Sequence, residues 1–533
     1  MHGRAIQTVK GIILHPGKTE ALMSFLILIT IVQCCYYFAS SHSVKVIFFG
    51  FLSLVVLVGT LFLLRLNTTK EAVSKVIFPI VFFILGITSL IYFPMGTIPD
   101  EPYHFYRSYA AANTFLNGET ENVRAEDYPL FNSEGMTTEI SNSGWDYIKE
   151  HLGDTAKPGM VSIVNTPSLN PNAWSSATLL NVISELKIPS AIGIVIGMLF
   201  NFNHVLLFFL GRFFNFIFAF VLIVLAVRLI PIGKNAMMLI ALFPMTLHLL
   251  GSYSYDAGNI ALSFLLTALI LRAIVESRKI LILEQILIIV VAAALVPCKL
   301  IYIVIAFLAL FIPSNRFISN RNAMLFKLAI VFFPLAVLAL TRLSTITGLA
   351  SSASSASSSV GARGTETGTL YSLGVIFDDP LSSALFFIRS LEVQGMFWLQ
   401  NIPGDSLGWF QGNTSFPDYV SIIILLLLAL SMLKSSDDNK IISGKVRIAC
   451  ICLFLVGTFG AILSMWTGWT FVSDFVIQGV QGRYFLPLIP LFLLGLRPKS
   501  IQICGNSGYV LMSCLIAIDF MCWMFISAVV AVP

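Results

Sequence analysis

The sequence predicts an all-α polytopic membrane protein, and three observations predict it. Of its 533 residues, 57% are hydrophobic and only 11% are charged, with a mean hydropathy of +0.88. Apolar runs recur that approach or reach the roughly 20 residues a helix needs to cross a bilayer. Lys and Arg gather at the ends of those runs, where they orient the helices. A soluble fold could not hide this much apolar surface. The net charge of +5 therefore belongs to helix boundaries, and no nucleic-acid partner is expected.

The runs can be taken in order. Residues 1–20 carry Arg4, Lys10 and Lys18 and are expected in the cytoplasm. Spans are expected at 22–39 and 44–64, the second followed by Arg65, Lys70 and Lys75. The first run is too long for a cleavable signal, and no small-residue cleavage site follows it. A third span, 76–93, leads outward into a large extracytoplasmic loop, 94–203. That loop is polar to Lys187, with helical periodicity over 106–116. Its apolar segment 188–200 is short and suits the membrane interface. Spans follow at 205–229 and 236–250, then one returning to Arg272. Two blocks, 280–296 and 300–312, hinge at Pro297, Cys298 and Lys299, and a span at 328–340 leads out again.

The second extracytoplasmic loop is 343–418. Its part 343–374 is rich in Ser and Gly, buries no apolar area, and reads as a flexible linker. The remaining spans are 419–433, 448–465, one opening at Tyr484, and 509–529. The plan has about 13 transmembrane helices. The N-terminus is cytoplasmic and the C-terminus extracytoplasmic. The eight cysteines fall mostly within apolar runs and read as small core residues. No Gly-rich nucleotide loop appears, which argues against an ATP-driven pump.

The densest polar chemistry sits where the third span ends. Residues 99–107, PDEPYHFYR, pack Asp100, Glu101, Tyr103, His104, Tyr106 and Arg107 together. An ordinary helix boundary needs one or two charges, not an acid pair, an imidazole and a guanidinium. Other polar residues stand out of place on the same side. Asp256 and His248 flank the outer end of the span at 236–250. Lys299 sits at a hinge, Arg389 in FFIRSLE, Arg212 in the outer half of the span at 205–229, and Arg483 at the opening of QGRYFLP. Singly, each is an ordinary boundary or snorkelling residue. Jointly, cations from several spans and two acidic sites map to one leaflet, and ionisable groups in membrane segments mark sites. Arg and Lys suit phosphate, and a carboxylate suits removal of a hydroxyl proton.

PDEPYHF resembles the Asp-Glu motif of protein O-mannosyltransferases. The helix plan resembles the GT-C superfamily of membrane glycosyltransferases to which they belong. Closer still, PDEPYHFYRSYAAA, SYSYDA, LGWF and QGRYFLPLIP resemble a bacterial branch known as a domain of unknown function. The resemblance implies a GT-C-like fold in the bacterial cytoplasmic membrane. It also implies inverting transfer of a single sugar from a polyprenyl-phosphate donor to a cell-envelope glycan or glycolipid. Asp100 would then be the base, with Asp256 in reserve and Glu101 as its partner or a metal ligand, and Arg483 or Lys299 would meet the donor phosphate. His104, Arg107, Arg212, His248, Asp256, Arg389, Trp409 and Tyr484 would line the substrate. No organic cofactor is implied; a divalent cation stays open. Two rival classes are a lipid-linked glycan flippase or transporter and a polysaccharide polymerase or ligase. Transporters place polar sites near the midplane and show internal repeats. Here the charges lie at a boundary and no repeat is evident.

Overall fold

The structure, a computed structural model, describes residues 13–14, 73–93, 95–96, 98–117, 186–354, 360–363, 366–405, 407, 415–435, 442–498, 502–503 and 507–529. The expected spans at 22–39 and 44–64, and Trp409, lie outside these residues.

The described chain is mostly helical. After a short strand β1 (Ile13–Leu14), α1 (Phe78–Tyr92) continues a wide helical turn at Val73–Ile77. Next come α2 (Glu101–Asn117), α3 (Ile188–Leu199) and α4 (His204–Leu229). The Asn203 side chain caps α4 by accepting from Leu206 N at 2.9 Å, as an N-cap Asn should. Helix α3 lies almost backbone to backbone on α4. A Cβ on Gly193 would stand 2.5 Å from the Leu210 carbonyl oxygen, so no larger residue fits there.

The expected span at 236–250 is not one helix. It divides into α5 (Lys234–Ala241) and α6 (Pro244–Leu250). Pro244 has no N–H to continue the ladder and forces Phe243 out of helical geometry, to ψ 141°. Met245 N donates instead to Pro403 O at 2.9 Å, so the break docks a distant loop. Helix α7 (Asp256–Val275) is apolar and buried on all sides for most of its length, which marks it as the centre of the bundle. It is followed by α8 (Ile282–Leu295), a tightly wound segment around α9 (Ile303–Phe307), and α10 (Asn320–Ser354).

The Ser- and Gly-rich stretch expected as a linker takes regular structure in part. Helix α10 runs on to Ser354, and β2 (Val360–Arg363) pairs antiparallel with β3 (Glu366–Thr369). Gly368 lets the ring of Phe471 approach within 2.8 Å of where a Cβ would sit, so packing, not composition, orders this hairpin. Then come α11 (Leu373–Asp378), α12 (Pro380–Asn401), α13 (Asp418–Ser431), β4 (Lys434–Ser435) and α14 (Gly444–Trp469). The span expected from Tyr484 also divides, into a turn at Gly482–Phe485 and α15 (Ile489–Leu496). The chain closes with β5 (Gln502–Ile503) and α16 (Ser507–Val529).

Among the described residues, five helices are long and apolar enough to cross a membrane: Val73–Tyr92, Val205–Leu229, Asp256–Val275, Asn320–Thr341 and Gly444–Trp469. The chain is a helical, multi-pass membrane protein.

The two ends of the bundle differ. At one end Arg228 donates to Lys75 O at 3.3 Å, and Arg497 to Met432 O at 3.3 Å. Strands β1, β5 and β4 form a small parallel sheet there, in that order. At the other end the loop before α7 meets the end of α1 and the start of α2, and the start of α7 meets the turn at Gly482–Phe485. Reporter fusions after residue 117 and after residue 435 should therefore read opposite sides of the membrane. The same signal from both would contradict this arrangement.

Candidate functional site

Glu101 and Arg212 make the anchor of the polar end. Both side chains are fully buried. Arg212 Nε donates to Glu101 Oε1 at 2.8 Å and its Nη2 to Oε2 at 2.5 Å, a fork-to-fork pair. Its Nη1 donates to the carbonyls of Leu90 (2.9 Å) and Phe93 (2.6 Å), at the end of α1. Glu101 in turn accepts from Gly96 N at 3.1 Å and Tyr253 N at 3.2 Å. One ion pair thus joins α1, α2, α4 and the loop before α7. Each Glu101 oxygen already accepts two hydrogen bonds, so the metal-ligand role considered for Glu101 does not fit. Among the described residues no three His, Cys, Asp or Glu come together as metal ligands.

Asp100 is different in every respect. Its backbone is left-handed, with φ 61°. A non-Gly residue in this region costs about 1–2 kcal/mol. The adjacent carboxylates diverge because Glu101 begins a helix and Asp100 turns into it. The Asp100 side chain is 53% exposed, and its Oδ2 lies 3.4 Å from Arg483 Nη2.

Arg483 is buried and stands between two acids. Its Nε lies 3.5 Å from Asp256 Oδ2, a charge contact without hydrogen-bond alignment. Asp256 also accepts from Lys299 Nζ at 2.9 Å. As the first residue of α7, Asp256 sits at the positive end of a helix dipole, which favours its charge. Lys299 Nζ lies 3.9 Å from the Tyr484 ring centre and 5.0 Å from that of Tyr255. Burial alone would lower the Lys299 ammonium, but Asp256 and the surrounding phenols outweigh it and hold it well above the usual lysine range. The out-of-place cations thus separate, and the two expected at the donor phosphate stay together. Arg212 is closed into the clamp; Arg483 and Lys299 share Asp256.

Two members of this cluster, Lys187 and Tyr255, escaped the sequence. Lys187 is buried, donates to Tyr253 O at 3.2 Å and lies 5.7 Å from the centre of the Tyr255 ring. Tyr255 therefore stands between two lysines. A cation directly before an apolar helix, followed by Pro189, was a usable signal for Lys187. His104 packs edge-on against Tyr255, 4.7 Å between centres, and its Nδ1 has no hydrogen-bond partner. Burial first, then Lys187, Arg483 and Lys299, push its imidazole well below the usual histidine range, so it stays neutral.

The other expected residues scatter. Arg107 points outward from α2. Arg389 on α12 rests 4.3 Å from the Phe475 ring centre and joins none of the acids. His248, on α6, lies beneath the cluster, with Phe93 against it at 4.5 Å. It borders a cavity of about 490 Å³ that Pro99 and Arg483 also line.

A family model described as "Predicted membrane protein (DUF2142)" matches residues 82–492, most of the chain and all of the site just described. The chain belongs to that family. No curated protein and no solved structure matches it.

Two outcomes follow from the contrast between the acids. Glu101→Gln leaves Arg212 buried without its counter-charge and should destabilise the protein by about 3–5 kcal/mol, read as a lowered melting temperature in detergent. Asp100→Asn should melt like the wild type. Stability should also respond to acid through His104. The unfolded imidazole takes a proton below its ordinary value of 6.5, while the folded one does not. Stability is therefore lost as pH falls from about 6.5 towards 5. His104→Phe should flatten that part of the melting profile; an unchanged slope would assign it elsewhere.

Proposed function

We propose that this DUF2142 membrane protein is an inverting glycosyltransferase. It moves a single sugar from a polyprenyl-phosphate donor to an envelope glycan or glycolipid, on the outer face of a bacterial cytoplasmic membrane. The observation that carries the reading is Asp100. It is a half-exposed carboxylate in a strained backbone conformation, beside a buried Arg483 and within a cluster that also holds Lys299 and Lys187. Strain of this kind persists where the surroundings impose it and gathers at functional sites.

The chemistry needs one base and several cations. An acceptor hydroxyl is a poor nucleophile at neutral pH, so Asp100 takes its proton as the oxygen bonds to the anomeric carbon. The bond from that carbon to the donor phosphate breaks on the opposite face, which inverts the centre. The electron pair leaves with the phosphate, whose charge the nearby cations stabilise; no acid is required. Hydrolases that use two carboxylates have a different need. Glu101, closed into its pair with Arg212, serves to position Asp100. Asp256 serves to hold Arg483 and Lys299, since both of its oxygens face a cation.

The test is transfer by purified protein from radiolabelled polyprenyl-phosphate sugars to a crude envelope glycan, without nucleotide. Transfer of one residue per acceptor is expected; chain growth would indicate a polymerase, and no transfer would sink the reading. Asp100→Asn should lower turnover by at least about a hundred-fold while leaving donor binding intact. Near-normal transfer by that variant, with Asp256→Asn inactive, would move the base to Asp256.

A further inference from the structure

The cavity beside Arg483 is bordered by an imidazole that no described residue satisfies. His248 is 1% exposed, and neither ring nitrogen has a hydrogen-bond partner among the described residues. Burying such a group unpaired costs about 1–3 kcal/mol, so a further partner is expected there. The ring is held by Phe93 and borders a cavity of about 490 Å³, within the range of small-molecule sites, roughly 300–1,000 Å³. Gln478 and Gln481 also line it, each half-buried. Asn401 lines it as well, but its side chain already accepts from Gly482 N at 3.0 Å and donates to Asp405 at 2.9 Å. Gln394 accepts from Trp398 Nε1 at 3.2 Å. The cavity's remaining wall includes Phe397 and Val393.

The charge of the occupant can be read from the same lining. No carboxylate is among the cavity's described lining residues, so a cationic ligand would lack a counter-charge. The single cation, Arg483, already faces Asp256 at 3.5 Å and Asp100 at 3.4 Å. An anionic ligand would have to compete with both. What remains are amides and an imidazole, groups that donate and accept at once. That matches hydroxyls, which do the same, and an apolar wall matches the C–H face of a ring.

We propose that this cavity binds an uncharged polyhydroxyl ring, and that His248 reads one of its hydroxyls. This rests on the glycosyl-transfer reading for its consequence, since the cavity would then hold one of the two reacting sugars. The site selects for neutral sugars and against uronic acids and amino sugars.

The test is direct binding to the detergent-solubilised full chain by saturation-transfer NMR. The probes are neutral methyl hexopyranosides of several configurations, a methyl hexuronoside, a methyl aminohexoside and, separately, a sugarless isoprenyl phosphate. At least one neutral glycoside should bind saturably, and the charged ones at least about tenfold more weakly. His248→Phe keeps the ring and removes the hydrogen bonds. It should weaken neutral glycoside binding about two- to tenfold, and leave isoprenyl phosphate binding unchanged. Gln478→Ala, in the same lining and less buried, should weaken it similarly and covers the case in which the His248 variant does not fold. No neutral glycoside binding, equal or tighter binding of the hexuronoside, or wild-type affinity in the folded variants would each overturn the assignment. If neutral glycosides bind as expected and isoprenyl phosphate does not bind, the lipid-donor reading fails and this one stands.

Discussion

The buried pair between Arg212 and Glu101 is the constraint on which the polar end depends. Two charges taken out of water are tolerated only when every remaining donor and acceptor is met. Here they are met by main chain. Leu90 and Phe93 offer carbonyls from the end of α1, while Gly96 and Tyr253 offer N–H groups from two loops. The consequence is geometric. Glu101 can begin α2 at only one place, and the chain reaches that place from α1 through a few residues. Asp100, the last of them, is driven into a left-handed turn that its own preference opposes. The clamp has no open atom for chemistry, yet it decides where the neighbouring carboxylate points.

A second, looser balance sits on top of this one. Asp256 draws Lys299 and Arg483 together, and the dipole of α7 supports its charge. Tyr255 and Tyr484 face Lys299 with their rings and add cation–π attraction at the same centre. Arg483 is thereby shared between a buried acid and a half-exposed one. Such sharing leaves Arg483 able to follow a developing negative charge without abandoning its place. The backbone supports this, since Gly482 lies against the carbonyl of Trp398, where any side chain would collide.

Much of this was legible in the sequence because it is local. An acid pair, an imidazole and a guanidinium within nine residues need no fold to be noticed, and the helical period after them placed α2 correctly. Asp256, Lys299 and Arg483 were also visible as charges at the mouths of apolar runs. What could not be read is which cation meets which acid. Arg212 looked like Arg483, but one is enclosed by main-chain carbonyls from α1 and the other by carboxylates. Lys187 was hidden by its position at the end of a polar loop, although packing buries it against Tyr253 and Tyr255. Hydropathy also joined what Pro244 divides, because apolar content is indifferent to a missing N–H. The Ser- and Gly-rich hairpin failed for the opposite reason. Its order comes from Phe471, more than a hundred residues away, as judged by their numbers.

The two sides of Arg483 have opposite characters, and the difference bears on mechanism. On one side lie Asp256, Lys299, Tyr255 and, beyond them, Lys187, a region of concentrated positive charge crossed by aromatic rings. On the other lies a cavity of amides and an unpartnered imidazole, with no carboxylate among its described lining residues. Asp100 reaches Arg483 at 3.4 Å. A transfer reaction divides its reactants in the same way, into a part that departs with negative charge and a part that carries hydroxyls and is uncharged. A group placed at the junction meets both at the moment the bond between them breaks. Among the described residues the polar end has one half-exposed carboxylate beside Arg483, and the adjoining clamp fixes the turn from which that carboxylate projects.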